Sequence, residues 1–535
     1  MLRLSIFIAA ATAALVLLGS APRSADAATF VVDRFDDPTP NLPRCTSAAN
    51  DCSLREAILE ANATPGTADQ ITLRAGRYNL TRVGVGAGSG DLDIVGPLTI
   101  VGGSGQTVID ANDIDRVFEV DCAASCRVEF NRLKIMDGLS TGGGAGGIMN
   151  GTNSTLMLRN SIVTSNSASG PESFGAGILN LGDLTVLKST VSFNVGDGEL
   201  AYGGGIFNNG PEIAVVDSTV SNNTALAGGG VYVTGGSAFI NRSAIIANTA
   251  TGSMGGGGIY SANSLVLRNS TLSGNSADGV EANGGGLLSG GFGPVTIENA
   301  TVKDNTSGGL GDGIYHHSNV NGSLSYKHTI FDNVGNPGDE NCAALYPTVL
   351  SSLGKNIFTD DSCPKDSTSD FPYFTDPKLG PLRDNGGLSL THAPQPGSPA
   401  LNGGSVNSVD CAGPRDQRGQ LRPVGAYCDI GAFEAQVCFP GDGEFYYLGF
   451  ETISGTRRPD DIEGTPGRDV IMTFEGNDTV SGLGGNDRIC SGAGDDTLNG
   501  DGGTDSLHGG SGSDTCNGGP PDTGEARVSC EQGIP

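Results

Sequence analysis

The chain has 535 residues, among them 86 glycines, 12 cysteines and no tryptophan, and its formal net charge at pH 7 is −29. This length is too great for one compact core and fits two or three domains or one elongated repeat fold, which the glycine content favours. The acidic charge argues against binding to nucleic acid or to anionic membrane surfaces, because both interactions require lysine and arginine.

Residues 1–27 have the three parts of a secretory signal peptide. Arg3 precedes an apolar run from Leu4 to Leu18, and a polar stretch then ends in Ala25-Asp26-Ala27. The run is short for a membrane span, so we expect cleavage after Ala27. We therefore expect a secreted, extracellular or cell-surface protein with no transmembrane segment in the mature chain.

Residues 28–70 are predicted to cap the N-terminal end of the repeat that follows. A short helix is expected from Ser53 to Asn62, because Ser53 can cap it and Glu56 stands at the third helical position. The stretch Cys52-Ser53-Leu54-Arg55-Glu56-Ala57-Ile58 resembles the CSLREA domain. A cap of this kind protects the open edge of a terminal coil from aggregation.

Residues 71–375 contain a repeat of about 28 residues. A glycine run followed by an aliphatic residue recurs at intervals of 30, 28, 25, 28, 28 and 27 residues, anchored at Ile148, Ile178, Ile206, Val231, Ile259, Leu287 and Ile314. A second anchor keeps the same interval, with asparagines at Asn166, Asn194, Asn223, Asn248, Asn275, Asn305 and Asn333. Short alternating strands between these anchors predict an all-β fold, a right-handed parallel β-helix of about ten coils.

The recurring asparagines are expected to stack inside the β-helix as a ladder. An amide both donates and accepts, so each side chain can bond to the next and satisfy a polar group that faces inward. A functional role for a single member, such as a sugar ligand, is the alternative.

Variable loops separate the asparagine corner from the glycine corner, and insertions in solenoids often form the binding face. They run from Ser167 to Gly175, Gly196 to Gly203, Thr224 to Gly228, Thr249 to Gly255 and Ser276 to Gly284. Their acids are Glu172, Asp197, Glu199, Asp278 and Glu281. A cationic or calcium-bridged partner would fit them, and the alternative is that they are solvated turns.

An enzyme on the β-helix is the rival hypothesis, because right-handed β-helices host polysaccharide lyases, hydrolases and epimerases. The motif sets of polygalacturonases and of alginate epimerases are not found in the sequence. His316 and His317, beside Asp312 and Tyr315, are the nearest approach to a catalytic cluster. We assign no catalytic residue from the sequence.

Residues 376–434 are predicted to close the C-terminal end of the β-helix. Four motifs, at 379–387, 396–400, 416–419 and 429–434, resemble the choice-of-anchor Q domain, which closes β-helical bacterial surface proteins. Residues 435–461 are predicted to be a linker and residues 520–535 a C-terminal tail.

Residues 462–519 carry a nine-residue repeat. Aspartate recurs at Asp469, Asp478, Asp487, Asp496, Asp505 and Asp514, and glycine precedes each by two positions, at Gly467, Gly476, Gly485, Gly494, Gly503 and Gly512. An apolar residue follows two positions after each aspartate. The segment resembles the RTX nonapeptide family, which implies a parallel β-roll. Thr473, Phe474, Ser491 and Asp501 stand where that pattern has glycine.

The chemistry of this repeat predicts calcium. If two nonamers make one coil, aspartates eighteen apart stack at about 4.8 Å, and ten acids face only Arg468 and Arg488. A hard cation with oxygen ligands is the natural counter-charge, and we expect about four calcium ions with these aspartates and glycines as the metal site. The alternative is a disordered acidic linker.

The even number of cysteines fits an oxidising compartment. Pairs close in sequence predict five disulfides, Cys45–Cys52, Cys122–Cys126, Cys342–Cys363, Cys411–Cys428 and Cys516–Cys530. Cys438 and Cys490 are paired by elimination. Zinc ligation is the poorer alternative, because the thiols and the few histidines show no metal-ligand spacing.

Taken together, these patterns predict a calcium-binding, secreted or surface-exposed bacterial protein of adhesin or matrix type. A surface polysaccharide or a protein is the expected class of partner, and nucleic acid is not. The alternative is an extracellular lyase, hydrolase or epimerase acting on an acidic polysaccharide.

Overall fold

The computed structural model describes residues 26–41, 45–46, 48–84, 86–317, 322–333, 340–345, 350–366, 368–395, 397–406, 411–423, 427–435, 451–456, 458–473, 476–519, 527–530 and 532–534. The predicted signal peptide, apart from its last two residues, and most of the predicted linker and tail lie outside them. Phe474 and Cys438 also lie outside the described residues.

Two long parallel sheets form two walls of a β-helix. Sheet A has twelve strands: Thr29–Val31, Asp69–Thr72, Leu98–Val101, Cys126–Asn131, Ser154–Arg159, Asp183–Leu187, Glu212–Val216, Ser237–Asn241, Ser264–Arg268, Val295–Glu298, Leu324–Lys327 and Leu350–Ser352. Sheet B has eleven: Gly76–Asn79, Thr107–Asp110, Lys134–Met136, Ile162–Thr164, Thr190–Ser192, Thr219–Ser221, Ala244–Ile246, Thr271–Ser273, Thr301–Lys303, Ile330–Asp332 and Ile357–Phe358.

A third wall and an outer loop sheet complete each coil. Sheet C has ten strands: Leu92–Ile94, Phe118–Val120, Ile148–Asn150, Ile178–Asn180, Ile206–Asn208, Val231–Val233, Ile259–Ser261, Leu287–Ser289, Ile314–His316 and Cys342–Ala344. Sheet D is built from the variable loops: Leu139–Ser140, Ser167–Ala168, Glu172–Phe174, Val195–Gly196, Leu200–Tyr202, Thr224–Ala227, Thr249–Gly255, Ser276–Ala277 and Thr306–Ser307.

The core lies between these walls because side chains alternate inward and outward along each strand. Leu156 and Leu158 lie in register with Leu184 and Val186 of the next coil, and all four are buried. One cluster of buried residues extends from Val32 to Cys363, so the coils share a continuous core. The ten strands of sheet C agree with the ten coils predicted. The first strand of sheet A, Thr29–Val31, lies within the segment predicted as the cap and pairs with Asp69–Thr72.

The predicted asparagine ladder is present. From Asn166 to Asn333, each Nδ2 donates to the Oδ1 of the next ladder asparagine at 2.9–3.0 Å, and Asn341 ends the series. Each backbone N–H donates to the same oxygen, for example Asn194 to Asn223 at 3.0 Å. The ladder side chains are buried, and these bonds remove the free-energy cost of burying an unpaired amide.

The predicted helix is observed as Leu54–Asn62, with Ser53 and Glu56 forming a capping box. Leu54, Ala57 and Ile58 belong to the β-helix core. Arg55 is buried and its guanidinium binds Asp37 and the carbonyls of Gly90 and Asp91. The helix is therefore fixed to the first coils by both apolar and ionic contacts.

The segment after the last coil lies against the side of the β-helix. It contains sheet E, a two-stranded antiparallel sheet of Leu379–Arg383 and Thr391–Pro394. Gln417 bonds to Thr271 at 2.7 Å, His392 to Ser273 at 2.9 Å and Arg422 to Asn269 at 3.0 Å. A cap on the final coil alone was expected, but these contacts reach coils well before the end.

The C-terminal repeat forms a parallel β-roll of two sheets. Sheet F contains Glu451–Ser454, Asp469–Met472, Arg488–Ala493, Ser506–Ser511 and Arg527–Ser529, and sheet G contains Asp461–Glu463, Thr479–Ser481, Thr497–Asn499, Thr515–Asn517 and Gln532–Ile534. One apolar side chain from each central strand fills the core, namely Ile471, Val480, Ile489, Leu498, Leu507 and Cys516. Two nonamers per coil, as predicted, give this arrangement. The roll extends beyond its predicted bounds, because Glu451–Ser454 lies in the predicted linker, and Arg527–Ser529 and Gln532–Ile534 lie in the predicted tail.

Candidate metal centre

The recurring aspartates lie along the two edges of the β-roll. The F edge is the set of turns that lead into sheet F, with Asp469, Asp487 and Asp505. The G edge is the set of turns that lead into sheet G, with Asp460, Asp478, Asp496 and Asp514. Residues eighteen apart are in register in both sheets, which stacks the aspartates of each edge.

One oxygen of each stacked carboxylate is held by the backbone of the preceding coil. On the F edge, the N–H of Asp469 donates to Asp487 Oδ1 at 2.8 Å, and the N–H of Asp487 donates to Asp505 Oδ1 at 2.8 Å. On the G edge, the same bond joins Asp478 to Asp496 at 2.8 Å and Asp496 to Asp514 at 3.1 Å. The carboxylates of Asp478, Asp487, Asp496, Asp505 and Asp514 are therefore each held through Oδ1, which leaves Oδ2 outside this bond.

The second oxygen, Oδ2, has no hydrogen-bond partner among the described residues in five aspartates, which are Asp478, Asp487, Asp496, Asp505 and Asp514. All five residues are at most 1% exposed. Burial raises the pKa of Asp478, Asp496 and Asp505, and raises that of Asp487 to about 7. A buried carboxylate oxygen without a partner is costly, so each of these carboxylates needs a cation, a hydrogen-bond donor or a proton of its own.

Each turn has six residues and ends at its aspartate, and in five of the turns the fourth position requires glycine. Gly476, Gly485, Gly494, Gly503 and Gly512 have φ between +125° and +139°, a conformation that L side chains rarely adopt. A Cβ on Gly485 would also collide with the carbonyl of Gly467. Gly467 itself differs, because its φ lies outside this range and a Cβ there would meet only Thr465 Oγ1, at 3.5 Å.

A second glycine, at the first position of the turn, leaves a space lined by oxygens. A Cβ on Gly482 would lie 2.5 Å from Asp487 Oδ2 and 2.8 Å from the carbonyl oxygen of Gly500 in the next coil. Carboxylate and carbonyl oxygens are the ligands of calcium, which accepts irregular sets of six to eight, whereas magnesium demands a stricter octahedron. The unpartnered Oδ2 atoms and this space fit calcium. A bound ion would supply the positive charge that the buried carboxylates lack.

Two features of the roll were missed from the sequence. Asp460 continues the nine-residue interval one repeat before Asp469, and its N–H donates to Asp478 Oδ1 at 2.9 Å. Thr465 donates its N–H to Asp469 Oδ2 at 2.6 Å and its hydroxyl to the same carboxylate at 3.1 Å. Thr456 holds Asp460 in the same way. The shared Gly-Thr pair at 455–456 and 464–465 was the available signal.

The structure contains disulfides between Cys45 and Cys52, Cys122 and Cys126, Cys342 and Cys363, Cys411 and Cys428, and Cys516 and Cys530. Cys490 is disulfide-bonded as well, and Cys438, paired with it by elimination, lies outside the described residues. Cys516 belongs to the core of the β-roll, so its disulfide ties the last described coils together.

The histidine pair on the β-helix is divided between core and surface. His316 is buried, its Nδ1 lies 2.6 Å from Ser289 Oγ, and burial lowers its pKa. His317 is exposed and stacks on Tyr315. Asp312 accepts hydrogen bonds from the N–H groups of Ser307 and Glu340. A buried histidine bonded to a buried serine has a packing role, since a substrate does not reach it.

Another group of acids lines a cavity of about 500 Å³ at the first coils of the β-helix. Ligand atoms of Asp91, Asp93 and Glu119 lie within 4.8 Å of one another. Arg116 bonds to Glu119 and lies 3.5 Å from Asp91 Oδ2. Burial raises the pKa of Asp91 to about 7 despite this arginine. This cavity could not be predicted from the sequence, because its residues come from separate coils.

The loop face, formed by sheet D, has acids but no basic residue. Glu172, Asp197, Glu199, Asp278 and Glu281 are exposed, and none forms an ion pair with a described residue. Between residues 138 and 317 the only lysines and arginines lie in sheets A and B or at the corner that joins them, at Arg159, Lys188, Arg242, Arg268 and Lys303. Apolar Leu200, Met254, Val280 and Leu310 are also exposed along these loops.

Two family models match parts of the chain. The model of the RTX calcium-binding nonapeptide repeat (4 copies) matches residues 454–489 and 491–520, and that of the right handed beta helix region matches residues 174–346. The predicted fold class, a right-handed parallel β-helix followed by an RTX-type β-roll, is thereby confirmed. No curated protein matches the chain.

Solved structures that are similar to this chain include two lyases. Pectate lyase Pel9A is 16% identical, with 77% of this chain and 97% of that chain covered at a TM-score of 0.45. PL6 family alginate lyase AlyGC is 12% identical, with 88% of this chain and 71% of that chain covered at a TM-score of 0.34. The lyase activities are properties of those two proteins.

Proposed function

We propose that this is a secreted or cell-surface bacterial β-helix protein of adhesin or matrix type whose C-terminal β-roll folds on calcium. The observation that carries the proposal is the set of five buried Oδ2 atoms without a partner in the roll. The disulfides and the RTX repeats point to an extracellular protein, where calcium is abundant. Among the described residues, no helix has the length and apolar character of a membrane span.

The boundaries of the protein's parts follow the same proposal. Residues 1–27 are the cleaved signal peptide, 28–70 a CSLREA-like cap, 71–375 the β-helix and 376–434 a choice-of-anchor Q-like closing segment. The calcium-binding roll comprises 462–519 with the flanking strands at 451–454, 527–529 and 532–534. The capping box at Ser53 supports the N-terminal cap. The buried ion pairs Arg418–Asp416 and Arg422–Glu434 support a closing segment with a fixed structure of its own.

The loop face is the proposed binding surface. Its exposed acids lack basic neighbours, and its exposed apolar side chains supply contact area for a partner. A cationic surface polymer, or an anionic one bridged by calcium, complements this face. Ionic strength should weaken the first interaction, and chelation should abolish the second.

Retention of the full chain on an immobilised cationic polysaccharide tests the binding role. Asp278→Asn with Glu281→Gln should reduce retention, because both acids lie on the loop face. Asp183→Asn with Glu212→Gln removes the same charge from exposed positions in sheet A and should leave retention unchanged. Equal effects of the two pairs would show that only net charge matters, and would refute a specific loop face.

A second candidate function is an enzyme acting on a polysaccharide, and the cavity around Asp91 is the observation that favours it. A carboxyl with a pKa of about 7 beside Glu119 has the properties of a general acid paired with a second carboxylate. The acidic lining would repel an acidic polymer unless a cation accompanied it. Release of new reducing ends or unsaturated ends, lost in Asp91→Asn, would establish this function, whereas saturable attachment without product would support the binding role.

A further inference from the structure

We propose that hydroxyl side chains take the place of calcium in part of the β-roll, so that calcium binds at the turns of Asp487, Asp505 and Asp514. This inference rests on the proposed calcium-dependent folding of the roll. It assigns different roles to aspartates that look equivalent in the nine-residue repeat.

The three open turns share two properties. Each has an aspartate whose buried Oδ2 is without a partner, and each has glycine at the first position, Gly482, Gly500 or Gly509. In all three, a Cβ added to that glycine would fall against the Oδ2 of the same turn. The missing side chain therefore leaves space beside an oxygen that needs a cation.

On the G edge, side chains fill the same space in two turns. Thr473 and Ser491 stand at the first position, and both are buried. Thr473 Oγ1 donates to the carbonyl of Ser491 at 3.1 Å, and Ser491 Oγ donates to the carbonyl of Gly509 at 2.8 Å. In these two turns of the G edge, a hydroxyl proton thus satisfies the carbonyl of the next coil. On the F edge the equivalent residue is Gly482, which has no hydroxyl, so the carbonyl of Gly500 remains available as a ligand.

At the N-terminal end of the roll, threonine satisfies the carboxylate itself. Thr465 and Thr456 each donate an N–H and a hydroxyl to the aspartate four residues later, Asp469 or Asp460. The turn of Asp469 also lacks the left-handed glycine of the open turns. Two hydrogen bonds from neutral donors stabilise a carboxylate without a metal.

The consequence is a roll with a metal-independent start and a metal-dependent remainder. The first coil has its carboxylates bonded before any ion arrives, and it presents a finished edge on which the next coil can stack. Calcium then completes the F edge and the last described turn of the G edge. The expected number of strong sites is lower than the four estimated from the count of stacked aspartates.

A matched pair of amide substitutions tests this assignment in the full chain. Asp487 and Asp496 are both buried, both accept an N–H through Oδ1, and both follow a left-handed glycine. They differ at the first position of the turn, which is Gly482 in one and Ser491 in the other. Asp487→Asn should lower calcium affinity about tenfold or more, the usual effect of damaging a metal site, and Asp496→Asn should change it by less than about twofold.

Calcium alone is the probe, measured by calorimetry and by equilibrium dialysis. Hydrogen exchange of the peptides that contain residues 482–490 and 491–499 gives an independent readout. Calcium should slow exchange in the first peptide more than in the second. Exchange in the β-helix serves as the folding control for each variant.

Two reciprocal substitutions guard against a variant that fails to fold. Ser491→Gly should open the G edge and add a calcium site, and it removes only a hydroxymethyl group. Gly482→Ser should weaken binding at Asp487, because its Cβ would lie 2.5 Å from the carboxylate oxygen.

The outcomes separate this inference from the function on which it rests. Equal losses in Asp487→Asn and Asp496→Asn, or no added site in Ser491→Gly, would overturn the hydroxyl assignment while calcium binding by the roll stands. No binding of calcium by the unaltered chain would overturn the proposed function, and this assignment with it.

Discussion

The β-helix and the β-roll solve the same stacking problem with side chains that differ in one group. In the asparagine ladder, the N–H of Asn194 donates to Asn223 Oδ1 at 3.0 Å. On the F edge, the N–H of Asp469 donates to Asp487 Oδ1 at 2.8 Å. The backbone-to-side-chain bond is therefore the same in both solenoids.

The second group on the side chain makes the difference. Asn194 Nδ2 donates to Asn223 Oδ1 at 2.9 Å, so an amide ladder closes with its own donors. When ionised, Asp487 Oδ2 can only accept, and no partner among the described residues donates to it. A stacked amide is self-sufficient, whereas a stacked carboxylate depends on a donor or a cation from outside the ladder.

The sizes of the two cores strengthen this contrast. Several inward side chains per coil build the core of the β-helix. The core cluster of the roll contains one apolar residue from each central strand, six in all within the described residues. Small cores contribute little to the free energy of unfolding, so we expect the roll to depend on metal and disulfides more than the β-helix does.

Removal of calcium should separate the two regions most strongly. With excess chelator, the roll should lose its β-sheet signal and its hydrogen-exchange protection, while the β-helix keeps both. Calorimetry should show two unfolding transitions. Calcium should raise the midpoint temperature of the transition of the roll and leave that of the β-helix unchanged. A roll transition insensitive to chelator would contradict the proposed dependence on metal.

Truncation of one ladder asparagine should destabilise only the β-helix. Asn248→Ala leaves the amide donors and acceptors of its neighbours unpaired, and we expect a loss of about 1–3 kcal/mol in the free energy of unfolding. Denaturant unfolding with calcium present measures it. Asn209→Ala, at an exposed turn position, is the control and should cost much less.

Amide substitution in the roll should make it resemble the β-helix. Asp487→Asn with Asp505→Asn gives the F edge two donors that can bond to neighbouring oxygens, so the calcium-free roll should gain about 1 kcal/mol per bond formed. Its exchange protection without calcium should rise while its calcium affinity falls. If the double variant exchanges its amide hydrogens faster than the parent in chelator, then repulsion between carboxylates is not what destabilises the metal-free roll.

Acidic pH should weaken calcium binding by the roll and leave the asparagine ladder unaffected. Burial raises the pKa of Asp487 from 3.8 to about 7 without metal, so its protonated form is favoured in the folded state. Its contribution to metal-free stability is full below the unfolded pKa of about 4 and is lost as pH rises through about 7. Calcium affinity should therefore increase from pH 5 to pH 8, with proton release on binding near neutral pH. A flat profile by calorimetry would refute this linkage.

Much of the architecture could be predicted from the sequence because it rests on local periodicity. The repeat of about 28 residues fixed the order of the coils, and alternation along each strand identified the inward residues such as Leu156 and Leu184. The asparagine spacing predicted the ladder, and the nine-residue interval placed the aspartates on two edges. Each of these depends on residues one coil apart, whose positions follow from chain geometry alone.

Only the tertiary structure decided which equivalent-looking residues differ. Thr465 and Thr473 are a short distance from aspartates in sequence, but their hydrogen bonds depend on the turn conformation that stacking imposes. Arg242 and His328 adopt left-handed backbone conformations at a corner where sequence rules favour glycine, because neighbouring coils hold that corner in register. The closing segment lies against the side of the β-helix through contacts such as that of Thr271 with Gln417, which are 146 residues apart. No sequence periodicity specifies such a contact.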